Sequence, residues 1–246
     1  MDLIYPEILR NVDHIECLFT AANKTRINSA GELKGLNFGI NTDENDQVIT
    51  ENFNRLFAHL GWEKQKVSLA RQVHGNRIAC VEQAGIYEDC DGLVTARPGL
   101  PLGIQVADCA AILVADPLKN IIGAFHAGWR GAVSGILPEG IETMMRMRAK
   151  PKNCKVYISP CITLQNFEVG EEVAAQFPDE YCDRENFNKP HIDLKKFIYH
   201  QLLDCGLLEE NIESSTECTV SNRRFFSYRR ERSEAGRMLG LIKIKS

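Results

Sequence analysis

Residues 107–131 read ADCAAILVADPLKNIIGAFHAGWRG, and the organisation of the chain is read outward from them. Two short apolar runs, AAILVA (110–115) and IIGAF (121–125), have the composition of strands. Asp116 and Pro117, then Lys119 and Asn120, supply the turn between them. The runs are flanked by Ala107, Asp108 and Cys109 on one side and by HAGWRG (126–131) on the other, so the ends of two neighbouring strands carry a thiol and an imidazole. Beyond Gly131 the pattern predicts a helix over 132–149.

Upstream, further strand-like runs fall at 14–20, 66–73, 77–82, 92–95 and 102–106, with a polar, Gly/Asn-rich loop over 21–41. A helix is expected to start near Thr42 or Asp43, either of which can cap it. It carries Val48, Ile49, Phe53, Leu56, Phe57 and Leu60 at helical spacing and ends at Gly61. Downstream, strands are expected at 155–159, 223–228 and 238–244, and short helices near 169–177 and 193–204. Helices and strands mix without a regular βαβ alternation, no internal repeat is present and no Pro/Gly/Ser linker divides the chain. The expectation is therefore an α+β fold, a single domain spanning 1–246, with mixed β-sheets packed against helices.

Composition narrows the function classes. The chain has 246 residues, 44% hydrophobic and 25% charged, with a net charge of −4, which is ordinary globular composition. No dense basic stripe is present, which argues against nucleic-acid binding. The first residues, MDLIYPEILRNVDH, lack a basic segment followed by an apolar one, and no uninterrupted apolar run approaches membrane-spanning length. A soluble cytoplasmic protein with no obligate protein partner is expected. The nine cysteines are odd in number and form no CxxC pair, so free thiols are expected rather than a disulfide framework or a zinc finger.

Three segments stand out chemically: QVHG (72–75), ADC (107–109) and HAGWRG (126–131). Each puts a His or Cys just after a strand-like run, with glycines beside the candidate ligands that let backbone or substrate approach closely. Imidazole and thiolate are good zinc ligands, and three protein ligands leave a fourth position open, as catalytic zinc requires. The spacings of 35 and 17 residues match no short zinc motif, so His74, Cys109 and His126 would have to be assembled by the fold.

QVHG, DGLVT (91–95), ADC, HAGWRG, FEVGEEV (167–173), FFSYRR (225–230) and GRM (236–238) occur together in this order. The set resembles the polyphenol oxidase/laccase-domain family, whose bacterial members are also described as peptidoglycan editing factors and purine nucleoside phosphorylases. The resemblance covers about residues 12–246. It implies a zinc triad of His74, Cys109 and His126. It further implies phosphorolysis of adenosine, inosine and methylthioadenosine, adenosine deamination, and a sandwich fold related to cysteine-hydrolase toxins. The chain departs from the family pattern at AANKTRINSAGELK (21–34), where Arg26 is the candidate for the usual arginine, and at SPCITLQNFE (159–168), where a second Gly-Pro is expected.

Within that reading Cys109 and His126 are catalytic candidates, and Asp108 is expected to orient a ligand, shuttle protons or cap a turn. Arg130 at a helix start, Arg229 or Arg230, and Asn37 are the candidate substrate-binding residues, the arginines for an anion. Cys218 is expected to be structural, and His14, His59, His191 and His200 ordinary residues. Six histidines without a His-x-His pair cannot furnish a full multicopper set. The competing readings are a metal-free Cys-His hydrolase with Asp108 or Asp91 orienting the histidine, a peptidoglycan-precursor amidohydrolase at the same site, and a non-enzymatic binding module.

Overall fold

The computed structural model describes residues 1–24, 26–27, 33–62 and 67–246. The strands are β1 (Leu3–Ile4), β2 (Ile15–Thr20), β3 (Arg26–Ile27), β4 (Leu33–Lys34), β5 (Ser68–Ala70), β6 (Ile78–Cys80), β7 (Gly85–Tyr87), β8 (Gly92–Thr95), β9 (Leu102–Val106), β10 (Ala110–Asp116), β11 (Ile121–Ala127), β12 (Lys155–Ile158), β13 (Cys182–Asp183), β14 (His191–Ile192), β15 (Ile212–Ser214) and β16 (Met238–Ile244). The helices are α1 (Glu7–Arg10), α2 (Asp46–Leu60), α3 (Trp129–Val133), α4 (Ile136–Arg146), α5 (Glu171–Ala174), α6 (Leu194–Asp204) and α7 (Tyr228–Glu231).

Two six-stranded sheets form the frame, one in the order β1-β2-β16-β9-β5-β7 and the other β15-β12-β10-β11-β8-β6. Both are mixed: β5 runs parallel to β7 and β9, β12 to β15 and β6 to β8, and the remaining pairs are antiparallel. The α+β architecture expected from the sequence is the one observed.

The layers follow from side-chain alternation. In β10, Ala110, Ile112 and Val114 join a core with Ile136, Leu137, Ile141 and Met144 of α4 and Leu194, Ile198 and Leu202 of α6. Ala111, Leu113 and Ala115 face the other way and meet Phe19, Leu102, Ile104 and Ile242 of the first sheet. That sheet's outer face, with Leu18, Leu69, Leu239 and Leu241, is closed by Leu56 and Phe57 of α2. Strands buried on both faces have no polar side to alternate with, which is why AAILVA and IIGAF are continuous apolar runs.

The β10–β11 turn is fixed by Asp116, whose Oδ1 accepts from the backbone of Leu118 and Lys119 and whose Oδ2 accepts from Lys150 N at 2.8 Å. Asn120 takes the left-handed conformation there, φ 52°. The resulting register sets Ala111 opposite His126 and Ala110 opposite Ala127.

Several expectations are revised. The helix starts at Asp46, not at Thr42 or Asp43, because Asn45 is the cap and accepts from Gln47 N; Gly61 closes it at φ 67° as expected. The helix expected over 132–149 is two helices, because Gly135 sits at φ 83° between α3 and α4. The segment 223–228 is not a strand: Phe225 and Phe226 are buried in the inter-sheet core, and Ser227 caps α7 by accepting from Arg230 N at 3.2 Å. Part of the segments 21–34 and 66–73 lies outside the described residues. Among the described residues no helix is long and apolar enough to cross a membrane, and all nine cysteines are free.

A Cβ at Gly135 would meet nothing within 4 Å, so the cost of Gly135→Ala is purely conformational. It should lower unfolding free energy by about 1–2 kcal/mol in denaturant titrations. A neutral result would mean that α3 and α4 can join without the left-handed residue.

Candidate metal centre

The strand registers assemble the site. β9 belongs to one sheet and β10 to the other, so Ala107, Asp108 and Cys109 cross between the sheets at one end of the sandwich. The β10–β11 pairing brings His126 to the same end. β8 pairs with β11 so that Gly92 opposes Phe125; Asp91 therefore stands beside His126, whose N–H donates to the Asp91 carbonyl at 2.7 Å. His74 arrives on the loop after β5, and one ligand atom each from His74, Cys109 and His126 lies within 4.8 Å of the others. No other group of three or more such side chains occurs among the described residues.

Asp91 holds this cluster together. It is fully buried, and its Oδ1 accepts from Nδ1 of His126 at 2.7 Å and from His74 N at 2.9 Å. Its Oδ2 accepts from Val73 N at 3.1 Å and Gly75 N at 2.8 Å. Three consecutive backbone donors converge on one carboxylate, and that convergence supports the left-handed backbone of His74, φ 63°. Burial pushes the Asp91 carboxyl up, but the hydrogen bond and charge of His126 and the amides of Gly75 and Val73 outweigh it and hold it below its ordinary range. With Nδ1 committed to Asp91, His126 keeps Nε2 for a metal or a proton, the carboxylate–histidine arrangement common behind metal ligands.

The thiol and imidazole polarise each other. Burial pushes the Cys109 thiol up, but the His126 imidazolium and hydrogen bonds from His126 and His74 outweigh it and lower its pKa. Burial disfavours protonated His126, yet the Cys109 charge and the Asp91 hydrogen bond raise its pKa. Both shifts favour thiolate and imidazolium in the metal-free pair, and the thiolate is the form that binds metal.

Glycines of HAGWRG leave room for this packing. A Cβ at Gly128 would lie 2.8 Å from Cys109 Sγ and 3.3 Å from His74 Cδ2. A Cβ at Gly131 would lie 2.8 Å from the Gly75 carbonyl oxygen, so α3 docks directly on the His74 loop.

The cluster forms one wall of a cavity of about 460 Å³, in the size range of small-molecule sites. Asp108 and Arg229 of the expected set also line it. Asp108 is buried at φ 82°; its Oδ1 accepts from Thr219 Oγ1 and its Oδ2 from Arg229 N, both at 2.6 Å. Asn37 lies outside the lining: its Oδ1 accepts from Gly39 N and Arg237 N, each at 2.8 Å. Arg130 is exposed over the Trp129 ring, 4.4 Å from its centroid. Arg230 turns away and donates to the carbonyls of Thr219, Val220 and Phe225 and to Glu231. Residue-by-residue reading did not single out Arg237, although the GRM motif contains it; it too lines the cavity.

The family model described as multi-copper polyphenol oxidoreductase laccase matches residues 18–245. A purine nucleoside phosphorylase of Deinococcus radiodurans is 36% identical over 219 residues, covering 87% of this chain and 84% of that protein. An adenosine deaminase, RL5, from an unknown prokaryotic organism is 31% identical over 200 residues, covering 74% of this chain and 76% of its own. The solved structure of the hypothetical protein YfiH of Bacillus licheniformis superposes with a TM-score of 0.90 at 25% identity, covering 99% of this chain and 97% of that one.

Asp91→Asn should weaken metal binding about 10- to 100-fold in competition titrations, because His126 loses its orienting partner. The metal-free variant should also lose about 2 kcal/mol or more of stability through mispaired buried donors. In the native chain the folded carboxyl titrates below its unfolded value of about 3.9, so its contribution is complete above that pH and fades as acid takes the pH through the folded value. A variant with wild-type metal affinity and an unchanged acid-unfolding profile would contradict this role.

Proposed function

The chain belongs to the multi-copper polyphenol oxidoreductase laccase family, and on that premise we propose that it is a cytoplasmic zinc-dependent enzyme of purine nucleosides. The observation that carries the proposal is the convergence of His74, Cys109 and His126 on the wall of a ligand-sized cavity. Relatives named purine nucleoside phosphorylase and adenosine deaminase support the substrate class. The free thiols suit a reducing compartment. The reactions proposed are phosphorolysis of adenosine, inosine and methylthioadenosine, and deamination of adenosine.

The donors fit the metal. One thiolate and two imidazoles favour a borderline-soft divalent ion over magnesium or calcium. His74, Cys109 and His126, whose ligand atoms lie within 4.8 Å of one another, would hold the ion and leave a further position for a ligand. Zinc bound there supplies a Lewis acid and a bound water of lowered pKa.

The chain's own residues set the rest. His126 is fixed through Asp91, and His74 through the three amides of its loop. Trp129, Phe167 and Tyr228 line the cavity as aromatic surfaces on which a purine ring can stack. Asp108, with both oxygens engaged, acts as a positioning residue: it ties the start of β10 to Thr219 and α7 and so places Arg229 at the cavity. Arg130 and Arg230 are assigned no substrate contact here, since one is exposed on Trp129 and the other is bonded to backbone carbonyls and Glu231. Asn37 acts at one remove, through the backbone of Arg237.

One alternative has specific support. Cys109, His126 and Asp91 lie in the order nucleophile, base and orienting carboxylate, with the thiol already acidified. That geometry suits a metal-free cysteine hydrolase, although it leaves His74 without a part.

Elemental analysis of the purified protein and of Cys109→Ala, with nucleoside turnover followed in parallel, separates the two. About one zinc per chain, lost together with activity in Cys109→Ala, is expected. A metal-free wild type that still turns over substrate, and is inactive as Cys109→Ala, would replace the zinc reading with the cysteine nucleophile.

A further inference from the structure

The polar groups around the cavity differ in how much of their bonding capacity is already used. The Gln72 side chain donates to the Gln105 carbonyl and accepts from the Gln105 N–H, and the Gln105 side chain donates to Phe38 O. Asn41 accepts from Arg71. Asp108 has both oxygens engaged. Two guanidiniums are different. Arg229 gives only Nη1, to the Glu168 carbonyl at 3.0 Å, and Arg237 gives only Nη1, to the carbonyls of Ala235 and Gly236. Among the described residues neither is in a salt bridge, so each keeps Nε and Nη2 for a ligand. Two arginines outside any salt bridge among the described residues therefore line one cavity, Arg237 within electrostatic range of Asp108 and Cys109 and Arg229 of Glu168.

Arg237 is also deliberately placed. Its backbone N–H donates to Asn37 Oδ1 and its carbonyl accepts from Phe38 N at 3.1 Å, so the segment before β16 is clamped on both sides. Its stem passes over Gly39, where a Cβ would lie 2.6 Å from Arg237 Cγ. Asn37 is itself anchored, its carbonyl accepting from the buried side chain of Asn52 at 2.8 Å. The ring of Tyr228 has its centroid 6.0 Å from the guanidinium carbon. A half-buried arginine with this much support, in no salt bridge among the described residues and with the nearby Asp108 oxygens engaged by Thr219 and Arg229 N, suits an anion that arrives from outside.

We infer that Arg237, together with Arg229 in the lining of the same cavity, forms the site for the phosphate co-substrate. The inference rests on the phosphorolysis reading above. In that reaction an oxygen of hydrogen phosphate forms the bond to C1′ of the ribose while the C1′–N9 bond breaks. The electron pair leaves with the purine, and the proton carried by the phosphate ends on the released base, giving ribose 1-phosphate and free purine. The guanidiniums hold the dianion by paired N–H donors and offset its charge beside the thiolate wall.

The test uses the full chain with inorganic phosphate as probe. Phosphate should raise the melting temperature of the wild type, and this shift should be absent in Arg237→Gln and partly restored in Arg237→Lys. The KM for phosphate in phosphorolysis should rise at least about tenfold in Arg237→Gln, with a smaller change in the KM for nucleoside. Arg229→Gln should act in the same direction and serves if Arg237→Gln folds poorly. Wild-type phosphate KM and thermal shift in both variants would overturn the inference while leaving phosphorolysis intact. An equal fall in deamination and phosphorolysis at unchanged phosphate KM would also overturn it and assign the guanidinium to the nucleoside. A phosphate-dependent shift that needs Arg237, in a protein that turns over no nucleoside, would keep the anion site and remove the proposed function.

Discussion

A single buried carboxylate organises the active end of this protein. Asp91 is fully buried, and three backbone amides and one imidazole solvate its charge. Each partner is fixed in consequence. The amides hold the loop that presents His74, and the imidazole is His126. Two ligands from segments 52 residues apart in sequence are thereby referenced to one pair of oxygens. Cys109 is referenced separately, through the register of the hairpin that carries it. An orientation set by a buried charge is stiff, because moving either partner away leaves that charge uncompensated in a medium that solvates it poorly.

The same arrangement serves either chemistry considered for the site. A carboxylate on Nδ1 raises the basicity of Nε2 whether that nitrogen holds a metal or takes a proton from a thiol. What separates the two is His74, which faces the same centre and whose ring lies 4.8 Å from that of His126. A nucleophile–base pair does not need a second imidazole at that place, whereas a three-coordinate metal does.

Much of this was legible in the sequence, for physical reasons that also explain the misses. The β10–β11 hairpin was readable because both strands are buried on two faces and the turn between them contains Asp116, Pro117 and Asn120. The cluster of His74, Cys109 and His126 was readable because its members lie in short Gly-flanked motifs at strand ends. Strands of two or three residues such as β1, β7 and β15 were not, since they contain too few side chains to show a period. The aromatic pair Phe225 and Phe226 looked like a strand because burial, not backbone conformation, selects them. Asp91 and Arg237 each stand in a motif of the resemblance. Their parts depend on which backbone amides and which empty Cβ positions surround them, and no spacing rule encodes that. Arg130 and Arg230 show the converse: an arginine in a motif can be exposed on a ring or bonded wholly to carbonyls.

The order of the first sheet has a temporal side. β16 follows every other strand in sequence, yet it lies between β2 and β9 in the interior of the sheet, and Arg237 immediately precedes it. During synthesis β2 and β9 leave the ribosome long before the strand that joins them. Until it arrives, the sheet has two unsatisfied edges and the inter-sheet core lacks Met238, Ile242 and Ile244. The strands of the second sheet all come earlier, and its β10–β11 hairpin brings Cys109 and His126 to one end. The hairpin that carries Cys109 and His126 is thus complete in the nascent chain before the segment that brings Arg237 to the cavity, so the two walls of that cavity are made at different times.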